Sequence, residues 1–174
     1  VAYNRSVLDA ERSAERFAGN GRSAVVLRFA GFYGPDARHV PTFIDSVKKG
    51  RMPVPGRPEA YLSFVSHDDA AAAAFAALAI PPGTYNVVDD EPLPRGDGFA
   101  WLARTVGVAP PAPLPGWVGY FMGSLGELMG RSLRISNRRL RTASLWKPRY
   151  PSVREGWPPT VRDLGPAGMK VDAA

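Results

Sequence analysis

The apolar and polar positions of this chain are organised around Ala24-Val25-Val26-Leu27, an unbroken apolar run of strand length. It predicts a strand buried on both faces, as in a parallel sheet flanked by helices. Arg28 ends the run, and Gly31, Gly34 and Pro35 punctuate the loop through Phe29, Ala30, Phe32 and Tyr33. The glycines let the backbone turn sharply or pass close to a ligand, and Pro35 bars the strand from continuing. A loop at the carboxyl end of a buried parallel strand is where α/β folds place ligands. An ordinary strand exit with two packing aromatics is the competing reading.

Before this strand, Val7, Ala10, Ala14 and Phe17 fall at i, i+3, i+7 and i+10, one stripe of a helix that Gly19-Asn20-Gly21 stops. Arg5 and Asp9 are spaced as an i,i+4 pair. Helix, turn and buried strand make the second half of a βαβ unit, so a leading strand is expected upstream of Val1. After the loop, a short helix is expected from Thr42 to Lys49, ended by Gly50, then a Pro/Gly-rich loop from Arg51 to Pro58. Ala60 to Ser66 reads as a strand, and Ala70 to Leu78 as a helix whose alanine face packs closely on a sheet. Asp68 and Asp69 precede that helix and suit its first amides and dipole. Gly83 to Val88 reads as a strand and Gly98 to Val106 as a helix closed by Gly107. Beyond the proline-rich connector Pro110–Pro115, helices are expected in Trp117–Met129 and near Ser136–Arg141. The segment after Trp157 reads as a frayed tail, which divides the chain into 1–157 and a poorly ordered 158–174.

Composition narrows the classes. The 174 residues are 45% hydrophobic and 22% charged, enough for one folded domain with a sizeable core. With no cysteine there is neither a disulfide framework nor a thiolate nucleophile. No apolar run reaches spanning length and no signal peptide is visible, so the expected address is cytoplasmic. Net charge is +6, and all but four of the 22 basic residues are arginine. Nine Arg or Lys lie between Arg131 and Arg162 against Glu155 alone, a basic surface without the stacking aromatics or motifs of a nucleic-acid module. His39 and His67 are too isolated to suggest a metal site.

Five segments, in order, resemble the C-terminal half of extended short-chain dehydrogenase/reductases, the NAD-dependent epimerase/dehydratase family. Tyr3-Asn4-Arg5-Ser6 with Glu11 resembles the family's Tyr-x-x-Ser-Lys helix start. Leu27-Arg28 through Tyr33-Gly34-Pro35 is similar to its Leu-Arg…Tyr-Gly-Pro, and Phe64-Val65-Ser66-His67-Asp68-Asp69 to its Phe-Val-His-Val-Asp-Asp. Tyr85-Asn86-Val87 resembles its Tyr-Asn-Val strand, and Leu145-Trp146-Lys147-Pro148 its late Gly-Trp-x-Pro. The resemblance implies an α/β fold: the C-terminal part of a Rossmann-type parallel sheet with a smaller mixed substrate-binding lobe. It implies NAD or NADP as cofactor, bound largely by an upstream half whose G-x-x-G-x-x-G motif this sequence lacks. It also implies Tyr3 as the catalytic acid and sets Phe29, Ala30 and Gly31 against the nicotinamide; Phe32, Tyr33, Arg38, His39 and Arg57 are the candidate substrate contacts. The expected partner is a small-molecule substrate, without nucleic acid or membrane, and a homodimer is expected of the full-length protein.

The departures from the family's pattern matter as much. The family's lysine four residues after its tyrosine is Val7 here, so nothing at that position favours a phenolate. Arg5 cannot replace it, because i,i+2 residues do not share a helix face. Tyr3 can still give a proton as a neutral phenol, and a packing aromatic is the competing role. Gly31 and Leu62 stand where nucleotide-sugar members often carry asparagine and arginine, which argues against a sugar-nucleotide substrate. Three readings follow: an atypical reductase or epimerase acting on a carbonyl or hydroxyl group, a non-catalytic NAD(P)-binding or sensor protein, and a basic interaction module.

Overall fold

A computed structural model of the chain describes residues 2–52, 54, 56–113 and 130–165, with side chains from Arg5 onward. The elements are α1 (Ala2–Ala18), β1 (Val25–Phe29), β2 (Gly31–Tyr33), α2 (Val40–Lys48), β3 (Tyr61–Leu62) and β4 (Phe64–Ser66). They continue with α3 (His67–Ala76) and its 3-10 extension Ala77–Ala79, β5 (Gly83–Val87), β6 (Leu93–Pro94), α4 (Arg95–Thr105), α5 (Arg138–Ala143) and α6 (Val153–Leu164). The helix expected over Trp117–Met129 lies outside the described residues.

Two parallel strand pairs form the sheet side. β1 runs alongside β5 with Val25 opposite Gly83 and Phe29 opposite Val87, while β2 runs alongside β4 with Gly31 opposite Phe64. β3 and β6 form a short antiparallel pair. Two cores follow. One packs Val65, Ala70, Ala73, Tyr85, Val87, Leu140 and Trp146 against the half-buried Val25 and Leu27. The other gathers Tyr33, Val40, Ile44, Leu93, Leu102, Val153 and Trp157 from α2, α4 and α6 and the strands beside them. A parallel α/β sheet with a smaller mixed lobe is the architecture expected of the sequence.

Several local expectations are corrected. β1 is not buried on both faces: Val25 to Leu27 are half-buried and Phe29 is exposed, since among the described residues β1 pairs only with β5. The loop after Ala30 begins with a strand, β2. The expected strand Ala60–Ser66 splits at Ser63, whose hydroxyl donates to the Leu133 carbonyl (2.8 Å) and accepts from the Ile135 amide (3.2 Å). In α1, Val7 and Phe17 of the apolar stripe remain exposed, whereas Glu11, Ala14 and Ala18 are half-buried. Asp9 pairs with Arg12 (3.3 Å), not Arg5. Glu11 instead accepts two hydrogen bonds from Arg28 of β1 at 2.6 and 2.7 Å, tying α1 to its strand, and this contact holds the Glu11 carboxyl below its usual range.

The expected frayed tail is corrected over its first part, because α6 continues past Trp157 to Leu164 with Trp157 and Thr160 buried; residues 166–174 of that tail lie outside the described residues. Its start carries a capping box: the Ser152 hydroxyl accepts from the Arg154 amide (3.1 Å), and Glu155 accepts from the Ser152 amide (2.9 Å). Pro158 and Pro159 lie inside this helix and lack amide donors. The missing Pro158 amide leaves the Arg154 carbonyl without its i+4 partner. The indole of Trp101 in α4 donates to it at 3.0 Å, so a tertiary bond replaces the helical one.

Gly156 of α6 faces the Tyr33 ring, and a Cβ there would overlap the Tyr33 hydroxyl. Tyr33 is 1% exposed with that ring wedged among Phe64, Trp157 and the glycine, so neither partner can retreat. Gly156→Ala is expected to cost about 2–3 kcal/mol through overpacking. Tyr33→Phe is expected to be close to neutral, because the hydroxyl makes no hydrogen bond among the described residues. Urea denaturation of both variants checks the pair; equal losses would place the strain elsewhere.

Candidate functional site

The carboxyl ends of β1 and β2 bring three rings together. Phe29 and Phe32 lie 5.4 Å apart between centroids, and Phe32 meets the ring of His67 edge-on at 5.2 Å. Both phenylalanines are more than a third exposed, so this is a surface wall and not core packing. His67 reaches it because β4 runs parallel to β2 and ends at Ser66, which makes His67 the first residue of α3. His39 closes the wall's other side, its Nε2 lying 3.1 Å from the Phe32 carbonyl. Gly34 turns the chain beneath His67 with φ +143°, a conformation that suits glycine.

The expected site residues therefore divide. Phe29, Phe32 and His39 come together. Ala30 and Gly31 join them along the backbone, but their amides are engaged by the Val87 carbonyl (3.1 Å) and the Ser63 carbonyl (3.2 Å). Gly31 is small for a reason inside the fold: a Cβ there would press on the Phe64 ring at 3.2 Å. Tyr33 turns inward, as strand alternation requires, and belongs to the core; burial, with Asp89 and Asp69 nearby, pushes its ionisation upward. Arg38 and Arg57 are exposed. Tyr3 lies in the first turn of α1, and Val7, four residues on, is 43% exposed.

Sequence reasoning missed His67 as a wall residue and Asp69 as a buried clamp. Asp69 is 3% exposed and accepts from the Arg149 amide (2.6 Å), the Tyr150 amide (3.4 Å) and the Ser66 hydroxyl (2.7 Å). The Trp146 indole donates to the Asp69 carbonyl at 3.0 Å. Helix α3 is thus capped by Ser66, whose hydroxyl accepts from the Asp69 amide, while the Asp69 side chain reaches inward to the turn that follows Trp146. The Asp-Asp and Trp-x-Pro motifs meet here, which was the available signal.

The basic segment is largely engaged within the chain. Arg141 pairs with Asp90 (2.8 Å) and Arg154 with Glu91 (2.7 Å), while Arg134 and Arg139 lie over the rings of Tyr61 and Tyr85. Among the described residues no three His, Asp or Glu side chains gather as a metal site, and no helix is long and apolar enough to cross a membrane.

No protein-family model matches the chain. A curated relative from Streptomyces sp, a 3-diazoavenalumate denitrifying reductase, is 35% identical over 165 residues, covering 90% of this chain and 52% of its own length. The UDP-glucose 4-epimerase of Thermus thermophilus, solved with NAD, superposes with a TM-score of 0.67 at 26% identity, over 90% of this chain and 51% of that one. A human epimerase family protein solved with NADPH superposes at 0.73 with 15% identity, over 82% and 49%, and supports the fold alone. The chain spans about half the length of these relatives. The element order, the parallel pairings and these likenesses together give the chain the Rossmann-like α/β fold of the NAD(P)-dependent epimerases and reductases it resembles, over about half of their length.

Proposed function

We propose that this chain supplies the catalytic helix and substrate lobe of an NAD- or NADP-dependent reductase or epimerase acting on a carbonyl or hydroxyl group. The observation that carries the reading is the ring wall of Phe29, Phe32 and His67, where β1 passes into β2 and the neighbouring parallel strand β4 passes into α3. Its uncharged edge Phe29-Ala30-Gly31, with Phe29 and Gly31 exposed, fits the nicotinamide end of the cofactor, which when bound supplies or takes up hydride. The pyrophosphate end has no counterpart in this sequence, which lacks the glycine-rich turn that binds it.

For this chain's residues the chemistry is orientation and proton transfer. The Phe32 ring would stack against the substrate, its own position set by the edge of His67, and the Tyr3 hydroxyl would give its proton to the substrate oxygen. The wall favours a planar, weakly charged carbonyl compound over a sugar nucleotide, in keeping with Gly31 and Leu62 in place of polar phosphate-side groups. Val7 supports a second reading, a nucleotide-binding protein without turnover.

The test joins this chain to a dinucleotide-binding half and follows nicotinamide absorbance with a panel of planar carbonyl compounds. Turnover is expected. Phe32→Ala is expected to raise KM about tenfold through lost stacking, with kcat changed by no more than about twofold. Nucleotide binding with no turnover across the panel favours the second reading.

A further inference from the structure

Where the chain passes from the sheet core into the lobe, at Asp89-Asp90-Glu91, carboxyl groups crowd together. Asp89 lies two residues past the end of β5, and Leu93, two residues past Glu91, is already in the lobe core. The Asp89 amide donates to the Phe64 carbonyl (2.8 Å), and the Asp90 and Glu91 amides both donate to the Pro151 carbonyl (2.9 Å), just ahead of α6. The joint therefore ties β5, β4 and the start of α6 to one another.

Nearly every acid at this joint has a donor. Asp90 accepts from Asn137 (2.7 Å) and Arg141 (2.8 Å) of the α5 region, and Glu91 accepts from Arg154 (2.7 Å) of α6. Glu155 of α6 accepts from the Ser152 amide and hydroxyl, and Asp69 of α3 is held by Ser66 and two backbone amides. Asp89 is the exception. It is 3% exposed, and its Oδ1 makes no hydrogen bond among the described residues. From β2, Tyr33 brings a second buried oxygen that makes no hydrogen bond among the described residues, and Tyr150 precedes α6. The basic groups facing the joint, Arg141 and Arg154, are already paired to its other acids.

We propose that Asp89 is carried as a neutral acid in this cluster, and that its ionisation loosens the joint between sheet and lobe. A charged carboxylate would sit buried among Asp69, Asp90, Glu91 and Glu155 with no donor for Oδ1. Burial, with Asp90, Glu91, Glu155 and Asp69 adding like charge, pushes its pKa up to about 8. A raised acid pKa has a definite sign: the folded state keeps a proton that the unfolded state loses above its ordinary range near 3.8. Stability then falls as pH rises from about 4 to about 8, and levels off above.

The test compares the full chain with Asp89→Asn, which supplies a permanently neutral side chain of the same shape. The folded-to-unfolded ratio of the parent should fall roughly tenfold per pH unit across that window relative to Asp89→Asn. Both are read by urea denaturation from about pH 5 to about pH 9, a range that brackets the folded-state titration. Parallel pH profiles for the two proteins overturn the proposal. Infrared spectroscopy gives a second measurement that survives a misfolding variant: the parent at about pH 6 should show a protonated-carboxyl band that is largely lost by about pH 9. Absence of that band at the lower pH overturns the proposal equally.

Discussion

Asp69→Ala is expected to cost about 3–4 kcal/mol, among the largest losses any single substitution in this chain should produce. The carboxylate is 3% exposed, and it accepts from the Arg149 and Tyr150 amides and from the Ser66 hydroxyl. Alanine would leave those donors without their acceptor, and a hydrogen bond to a buried charge contributes about 1.5–3 kcal/mol. The neighbouring Asp68 is the control. It is exposed, so Asp68→Ala should change stability by no more than about 0.5 kcal/mol. Asn at position 69 should fall between, keeping one acceptor oxygen while setting an amide nitrogen against the remaining donors. Urea denaturation of the three variants measures the differences. Equal losses for Asp68→Ala and Asp69→Ala would show that the pair acts only through the helix dipole and not as a clamp between α3 and the Trp146 turn.

What the sequence made legible was whatever rests on local pattern. The apolar run at β1, the alanine face of α3 and the stops at Gly50 and Gly107 follow from neighbours a few residues apart, and each lies where expected. Ala70 and Ala73 are buried against the sheet, as an all-small face requires. What was not legible depends on partners far along the chain. Ser63 divides the expected strand because its hydroxyl bonds a segment 70 residues away. Helix α6 survives two prolines because Trp101, far upstream, donates to the carbonyl that Pro158 cannot satisfy. The site divides along the same line. Phe29 and Phe32 could be named from their place at a strand's carboxyl end. The contact with His67, by contrast, needs the parallel pairing of β2 with β4, and the inward turn of Tyr33 needs the strand that its loop sequence concealed.

Tyr3→Phe, in a protein joining this chain to a dinucleotide-binding half, is expected to lower turnover about 10²–10⁴-fold. The substitution removes the proposed proton donor and leaves the ring. An unaided phenol has a pKa of about 10, so at neutral pH only about a thousandth is ionised. On the proposed role the neutral hydroxyl would be the working acid, and the rate should hold until pH rises far enough to remove its proton. Val7→Lys places a cation four residues along α1, on the face Tyr3 shares. Val7 is 43% exposed, so the longer side chain meets no wall there. The added charge favours the phenolate and should move the pH–rate profile toward neutrality, a shift that a merely structural change at position 7 would not produce. Combining the substitutions separates the roles, because Val7→Lys should have no effect on the profile once Tyr3 is Phe. Unchanged turnover in Tyr3→Phe would remove Tyr3 from the mechanism and leave proton transfer to solvent or to a group outside this chain.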